Sequence, residues 1–269
     1  MTDSSAVAAL FDRASGTYDQ VGVEMFGPIA DALVGELDPG PGERAVDLGC
    51  GRGAALLRLG AATGTTVVGL DLAPGMVEQA RTQAVAEGVD ADVRLGDVQA
   101  PDLPDDSFDV VASSLVLFFL PDPLGALKAW RRLLVPGGRL GVSTFGPFCA
   151  MWQAADAVFE PYLPDEARQG RASALSGPFG SDAAMERLFA DAGLTDVRTV
   201  PVTVSARFDD EEHWRRWSWS AGNRRMWEAV PEEDHDRVAA AAYEVLQDFR
   251  GPDGRIGFDQ AVRLTLGAR

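Results

Sequence analysis

A chain of 269 residues, 46% of them hydrophobic and 24% charged, can bury one substantial core as a single domain or a domain with a cap. Its 24 basic and 41 acidic residues give a formal net charge of −17, a surface that repels phosphate backbones and argues against a nucleic-acid partner. No apolar run is long enough for a bilayer, Met1 to Leu10 carries no secretory signal pattern, and two cysteines cannot build a disulfide framework; the expectation is a cytoplasmic protein without membrane contact.

In chain order, residues 1–37 read as a helical arm or lid. Phe11 to Asp19 is a polar-aromatic approach, and a helix follows in which Phe26, Ile29, Leu33 and Leu37 recur at helical spacing. Pro39-Gly40-Pro41-Gly42 ends it. Residues 38–144 then alternate short apolar strands with amphipathic helices. The strands are Ala45–Leu48, Thr66–Leu70, Ala91–Leu95, Phe108–Ser114 and Arg139–Ser143; the helices are Gly53–Gly60, Pro74–Glu87 and Pro123–Leu134. That alternation specifies an α/β fold, a doubly wound, mostly parallel sheet covered on both faces.

After Thr144 the alternation stops. Residues 145–180, rich in aromatics, proline and glycine, read as a cap insertion. Residues 181–208 return to the core through a helix capped by Ser181 and a strand from Thr195 to Phe208. Residues 209–254 form a helical cap insertion, with one helix starting at Asp209 or Asp210 and another over Pro231–Phe249. Residues 255–269 hold the final strand, Arg255–Leu266.

The most informative stretch is Val46-Asp47-Leu48-Gly49-Cys50-Gly51-Arg52-Gly53, a buried strand running into a glycine turn. Missing side chains let backbone amides approach a ligand, and the following helix presents free N–H groups. A dinucleotide loop needs G-x-G-x-x-G, but here the third glycine comes one residue early, which argues against an NAD-dependent oxidoreductase. Asp71 closes the second strand, where a carboxylate can accept both ribose hydroxyls of an adenosine. Asp97 lies past the third, where it can accept from an adenine amino group, with the Val98 amide donating to a ring nitrogen. Asp47 is expected to hold the glycine turn. All of these fall at the carboxyl ends of parallel strands, the usual crevice for ligands.

Four elements, VDLGCGRG (46–53), VVGLDLAPGMVEQA (67–80), RLGDVQAPDLPDDSFDVV (94–111) and LLVPGGRLGVSTF (133–145), resemble the class I S-adenosylmethionine-dependent methyltransferases. The likeness is to their small-molecule branch of quinone C-methyltransferases and natural-product tailoring enzymes, and FDRASGTYD (11–19) looks like that branch's entrance element. The resemblance implies a Rossmann-like seven-stranded sheet with an antiparallel last strand, plus a helical cap. It implies S-adenosyl-L-methionine as cofactor and S-adenosyl-L-homocysteine as product. Gly49, Gly51 and Gly53 would hold the methionine portion, Asp71 the ribose, and Asp97 with Val98 the adenine. Leu72 and Met76 would pack around the adenosine, Ser113 to Leu117 would face the methionine end and the substrate mouth, and Tyr18 would close over cofactor or substrate. The long chain between the sixth and seventh strands departs from the family's compact core.

Methyl transfer from a sulfonium needs mainly alignment and exclusion of water. Phe118, Phe145, Trp152, Trp214 and Trp217, in segments that leave the sheet, either enclose a flat apolar acceptor or glue the cap to the domain. Of the two histidines, His213 is the candidate general base and His235 reads as solvated; Glu24, Ser114 and Ser143 are further polar candidates near the mouth. No clustered ligand set suggests a metal. The expected function is methylation of a carbon, oxygen or nitrogen on a small aromatic or hydrophobic metabolite, by a monomer or homodimer. A methyltransferase-fold enzyme that catalyses a non-methylating reaction such as cyclisation is the alternative.

Overall fold

The computed structural model describes residues 4–165, 168 and 177–269. Part of the insertion expected over 145–180 therefore lies outside the described residues, as do residues 1–3 of the arm. A single seven-stranded sheet has the order β3-β2-β1-β4-β5-β7-β6. Strands β1 (Ala45–Leu48), β2 (Val67–Asp71), β3 (Ala91–Leu95), β4 (Phe108–Ser114) and β5 (Leu134–Phe145) pair in parallel, as the buried four-residue β1 between β2 and β4 requires. The last strand β7 (Ile256–Ala268) inserts antiparallel between β5 and β6 (Thr195–Phe208), the arrangement that the resemblance implied.

Three helices cover one face: α2 (Phe26–Leu37) beneath β4, β5 and β7, α3 (Ala54–Thr63) against β1, and α4 (Pro74–Glu87) beside β2 and β3. Helix α5 (Pro123–Leu133) and helix α7 (Asp182–Asp191) cover the other, burying Leu127, Trp130, Met185 and Phe189. The cap is built from α6 (Ala150–Ala157), α8 (Glu211–Ser220), α9 (Arg224–Ala229) and α10 (His235–Gln247), packed around Phe159, Trp214 and Trp227.

Two differences from the expected elements have physical causes. The arm contains a helix, α1 (Ser4–Ala14), that the sequence pattern does not announce, because only Leu10 and Ala14 of its length are buried. Its helical state rests on docking against α4 and α9. Strand β5 also begins five residues early: Leu134 pairs with Phe108, then the register shifts past Pro136-Gly137-Gly138 before Val110 meets Arg139. Pro136-Gly137-Gly138, a turn signal by composition, is an irregularity inside a strand. Among the described residues, no helix is long and apolar enough to cross a membrane.

Candidate active site

The reversal of strand order between β1 and β4 opens a crevice at the carboxyl ends of the strands. A cavity of about 340 Å³ lies there. Its wall includes Asp47, Gly49 and Gly51 from the first turn, Asp71, Leu72 and Met76 from the second, and Asp97 with Val98 from the third. The structure thus brings together eight of the ten residues assigned to the cofactor from sequence.

The loop is held by Asp71 and not by Asp47 as expected. Asp71 Oδ2 accepts from the Gly51 amide at 2.8 Å and its Oδ1 from the Ala73 amide at 2.9 Å. Burial pushes the Asp71 carboxyl above the ordinary range, and the amides of Ala73 and Gly51 pull it back. Asp47 is buried with no partner for its Oδ1. Burial pushes its pKa up to about 7, opposed by the Leu56 amide and reinforced by the charge of Asp71. Asp97 spends one oxygen on the Gln99 amide at 2.8 Å, and the Val98 carbonyl is fixed by the buried Trp130 indole N–H at 2.7 Å.

Glycine is needed in this turn for two different reasons. Gly49 has φ +79°, and a Cβ there would come within 2.4 Å of Val116 Cγ2. Gly51 has φ +52°, and a Cβ there would meet no protein atom within 4 Å, so its bare face opens on the cavity. Gly53 does not line the cavity; with φ +102° it caps α3.

Ser113 does not line the cavity either. Its hydroxyl is buried and donates to the Leu48 carbonyl at 2.7 Å, whereas the next residue, Ser114, lines the wall and shares a 3.0 Å hydrogen bond with Ser143. Successive strand residues face opposite sides, so one position reverses the assignment.

The arm closes one side of the cavity through Phe11, Tyr18 and Asp19. Helix α1 and the residue that follows it are tied down at three places. Asp12 Oδ1 accepts from the Gly75 amide at 2.7 Å, Arg52 Nη1 donates to the Ser15 carbonyl at 2.5 Å, and Arg13 makes a two-pronged ion pair with Glu228 at 2.8 and 3.1 Å. Tyr18 stacks on Phe26, and its hydroxyl pKa is raised by burial, then by the charges of Asp19 and Asp71.

Of the remaining aromatic candidates, Phe118, Phe145, Trp152 and Trp217 form a continuous chain of ring contacts 5.3–5.9 Å apart. It joins the cavity wall through Phe119, which packs on both Phe118 and Phe11. Trp214 is apart from it, buried in the cap beside Trp227. His213 does not line the cavity. Its Nε2 meets the Val21 carbonyl at 2.6 Å and its Nδ1 accepts from the Asp209 amide at 3.2 Å, so neither ring nitrogen is free to serve as a general base. His235 is half-buried, its Nε2 against the carbonyls of Trp227 and Val230, and is not solvated as its charged neighbours suggest. Asp19 and Arg52, both in the wall, were not singled out from sequence. An arginine between two loop glycines and an aspartate following the arm tyrosine were the available signals.

The strand order with its antiparallel seventh strand, the glycine loop and the succession of acidic strand ends define a class I S-adenosylmethionine-dependent methyltransferase, and the chain belongs to that family. The methyltransferase domain family matches residues 46–142. The chain is 37% identical over 255 residues to nocamycin O-methyltransferase of Saccharothrix syringae, with 89% of each chain covered. It is 41% identical over 150 residues to aklanonic acid methyltransferase DauC of Streptomyces sp. (strain C5), covering 54% of this chain and 68% of that one. Among solved structures, the YcgJ protein of Bacillus subtilis matches with a TM-score of 0.59 at 18% identity, over 90% of this chain and 98% of that one, a likeness of fold. The cofactor is S-adenosylmethionine, and the site's chemistry fits it. An unpartnered buried carboxylate oxygen on Asp47 suits a cationic ligand, and the bare face of Gly51 leaves it room.

Proposed function

We propose that this methyltransferase acts on an oxygen of a small, largely apolar aromatic acceptor of natural-product biosynthesis, held between the arm and the aromatic chain above β4 and β5. The observation that carries this reading is the shared wall of the cavity: acidic strand ends on one side, and on the other Phe11, Tyr18 and Phe119 leading into Phe118, Phe145 and Trp152. Two relatives support a small-molecule acceptor by their names, a nocamycin O-methyltransferase and an aklanonic acid methyltransferase, the first of them specifying oxygen.

When bound, the cofactor supplies an electrophilic methyl group on a sulfonium centre. Asp71 keeps lone pairs beyond those given to Gly51 and Ala73, and these accept the ribose hydroxyls. The free oxygen of Asp97 accepts the adenine amino group, while Leu72 and Met76 cover the adenosine. Asp47 places a negative charge against the cationic end. The closed arm excludes water, and the aromatic chain orients the acceptor; orientation and desolvation supply much of the rate. A candidate proton acceptor on His213 is not part of this scheme.

Incubating the protein with methyl-deuterated S-adenosylmethionine and a panel of phenolic and carboxylic polyketide-like acceptors, with mass detection, tests the proposal. The expected product carries one labelled methyl group removable by ester or ether cleavage. Labelled methyl found only on carbon or nitrogen contradicts it.

A further inference from the structure

Strand β7 runs inside the sheet, yet it buries two long polar side chains, Gln260 at 0% exposure and Arg263 at 6%. Such groups are costly to bury unless their hydrogen bonds are met. Both meet them on the main chain where β5 runs out through the irregular residues Gly146-Pro147-Phe148-Cys149 into α6.

Gln260 takes the place of a pairing strand. Its Nε2 donates to the Pro147 carbonyl at 3.0 Å and to the Ala261 carbonyl at 2.7 Å, and its Oε1 accepts from the Cys149 amide at 3.2 Å. It thus grips the peptide groups on either side of Phe148. A reversed amide would set its oxygen against two carbonyls, so only one orientation serves. The Gly146 amide adds a bond to the Ala261 carbonyl at 2.8 Å, and a Cβ on Gly146 would come within 3.0 Å of the Ala261 Cβ. Arg263, three positions further along and so on the opposite face of β7, holds the chain from the other side. Its Nη1 donates to the carbonyls of Phe145 and Phe179, both at 2.9 Å, while its Nε pairs with Asp182 at the start of α7.

The residues gripped in this way carry rings of the aromatic chain. Phe145 and Phe148 each lie 5.3 Å from Trp152, which rests on Phe258 of β7 at 5.4 Å. Phe145 and Phe179 both pack on Phe118, at 5.7 and 6.3 Å. Neither Gln260 nor Arg263 lines the cavity itself. We propose that the two are positioning residues for the methyl acceptor: from opposite faces of β7 they set where the rings of Phe145, Phe148 and Phe179 stand, and so how the acceptor lies against the methyl donor. This rests on the reading that the aromatic chain orients the acceptor. Misplacing a bound reactant by about 1 Å can cost about 100-fold in rate, so small shifts of these rings change which acceptor oxygen reacts.

Methylation of alizarin, a flat anthraquinone with two inequivalent hydroxyls, tests the proposal through its KM and the ratio of its two monomethyl ethers. Gln260→Met keeps the length and removes all three bonds; Arg263→Lys keeps the charge beside Asp182 and loses the fork. Both should bind S-adenosylhomocysteine within about threefold of wild type, raise the KM about fivefold or more, and shift the ether ratio about threefold or more. Arg263→Met, which loses the charge as well, should shift the ratio further. Thr265→Val removes a different buried bond of β7, to Thr199 at 3.1 Å; it should lower the Tm and leave the ratio as in wild type. If Gln260→Met does not fold, the two Arg263 variants carry the test. An unchanged KM and ratio in variants that still bind S-adenosylhomocysteine overturns the proposal while the aromatic-acceptor reading survives. An equal shift in Thr265→Val overturns it too, since loss of strand stability would then account for the effect. A wild-type protein that binds S-adenosylhomocysteine but neither binds nor methylates alizarin overturns the aromatic-acceptor reading itself.

Discussion

Replacing Asp71 by alanine probes the site where the structure is most explicit. Each of its oxygens already accepts one backbone amide, from Gly51 and Ala73, and a carboxylate offers about four acceptor positions, so two remain for ribose hydroxyls. Hydrogen bonds to charged groups contribute about 1.5–3 kcal/mol each. The low end applies, because burial already disfavours the charge on Asp71. Losing two such bonds costs about 3 kcal/mol, a Kd for S-adenosylhomocysteine raised roughly 150-fold. Stability moves less, since the two orphaned loop amides are offset by removal of a buried charge. Calorimetric titration of the folded variant measures the effect, with a thermal melt to confirm the fold. A Kd within threefold of wild type refutes the assignment of Asp71 to the ribose.

Three further outcomes are expected. Gly49→Ala forces a Cβ to within 2.4 Å of Val116 and strains a backbone at φ +79°, so thermal unfolding should show a loss of about 2 kcal/mol or more, along with weaker cofactor binding. His213→Ala removes the bond to Val21 that ties the arm, between α1 and α2, to α8; it should lower the Tm by several degrees yet leave turnover per folded molecule within threefold of wild type. Asp47, raised from 3.8 to about 7, binds a proton in the folded state that the unfolded chain has already lost. Stability should therefore fall as pH rises from about 4 to 7, by at most about 4 kcal/mol, and Asp47→Asn should flatten that slope in melts across pH 5–8. Parallel curves for the two proteins would show that Asp47 titrates normally.

What the sequence could and could not disclose follows from local pattern against tertiary contact. The first strand, its glycine turn, Asp71 and Asp97 were legible because strand ends and glycine spacing are local signals, and the fold places all of them on one cavity. Ser113 could not be told apart from Ser114, because the middle of β4, Val110 to Ser113, is buried on both faces and shows no alternation to set the facing. His213 could not be placed, since its partner Val21 lies 192 residues away. Trp214 and Trp217 share a helix face in sequence, but Trp214 turns into the cap beside Trp227 while Trp217 meets Trp152. Asp19 and Arg52 carry no periodic signal at all; only the closing of the arm over the loop brings both into one cavity wall.

A crystal structure of the chain with S-adenosylhomocysteine shows whether the cavity at the ends of β1, β2 and β4 holds the methyl donor. The adenosine should lie between Asp71 and Asp97, with both ribose hydroxyls on the Asp71 carboxylate and the amino-acid end passing Gly51. A ligand bound elsewhere, or a ribose turned away from Asp71, contradicts it.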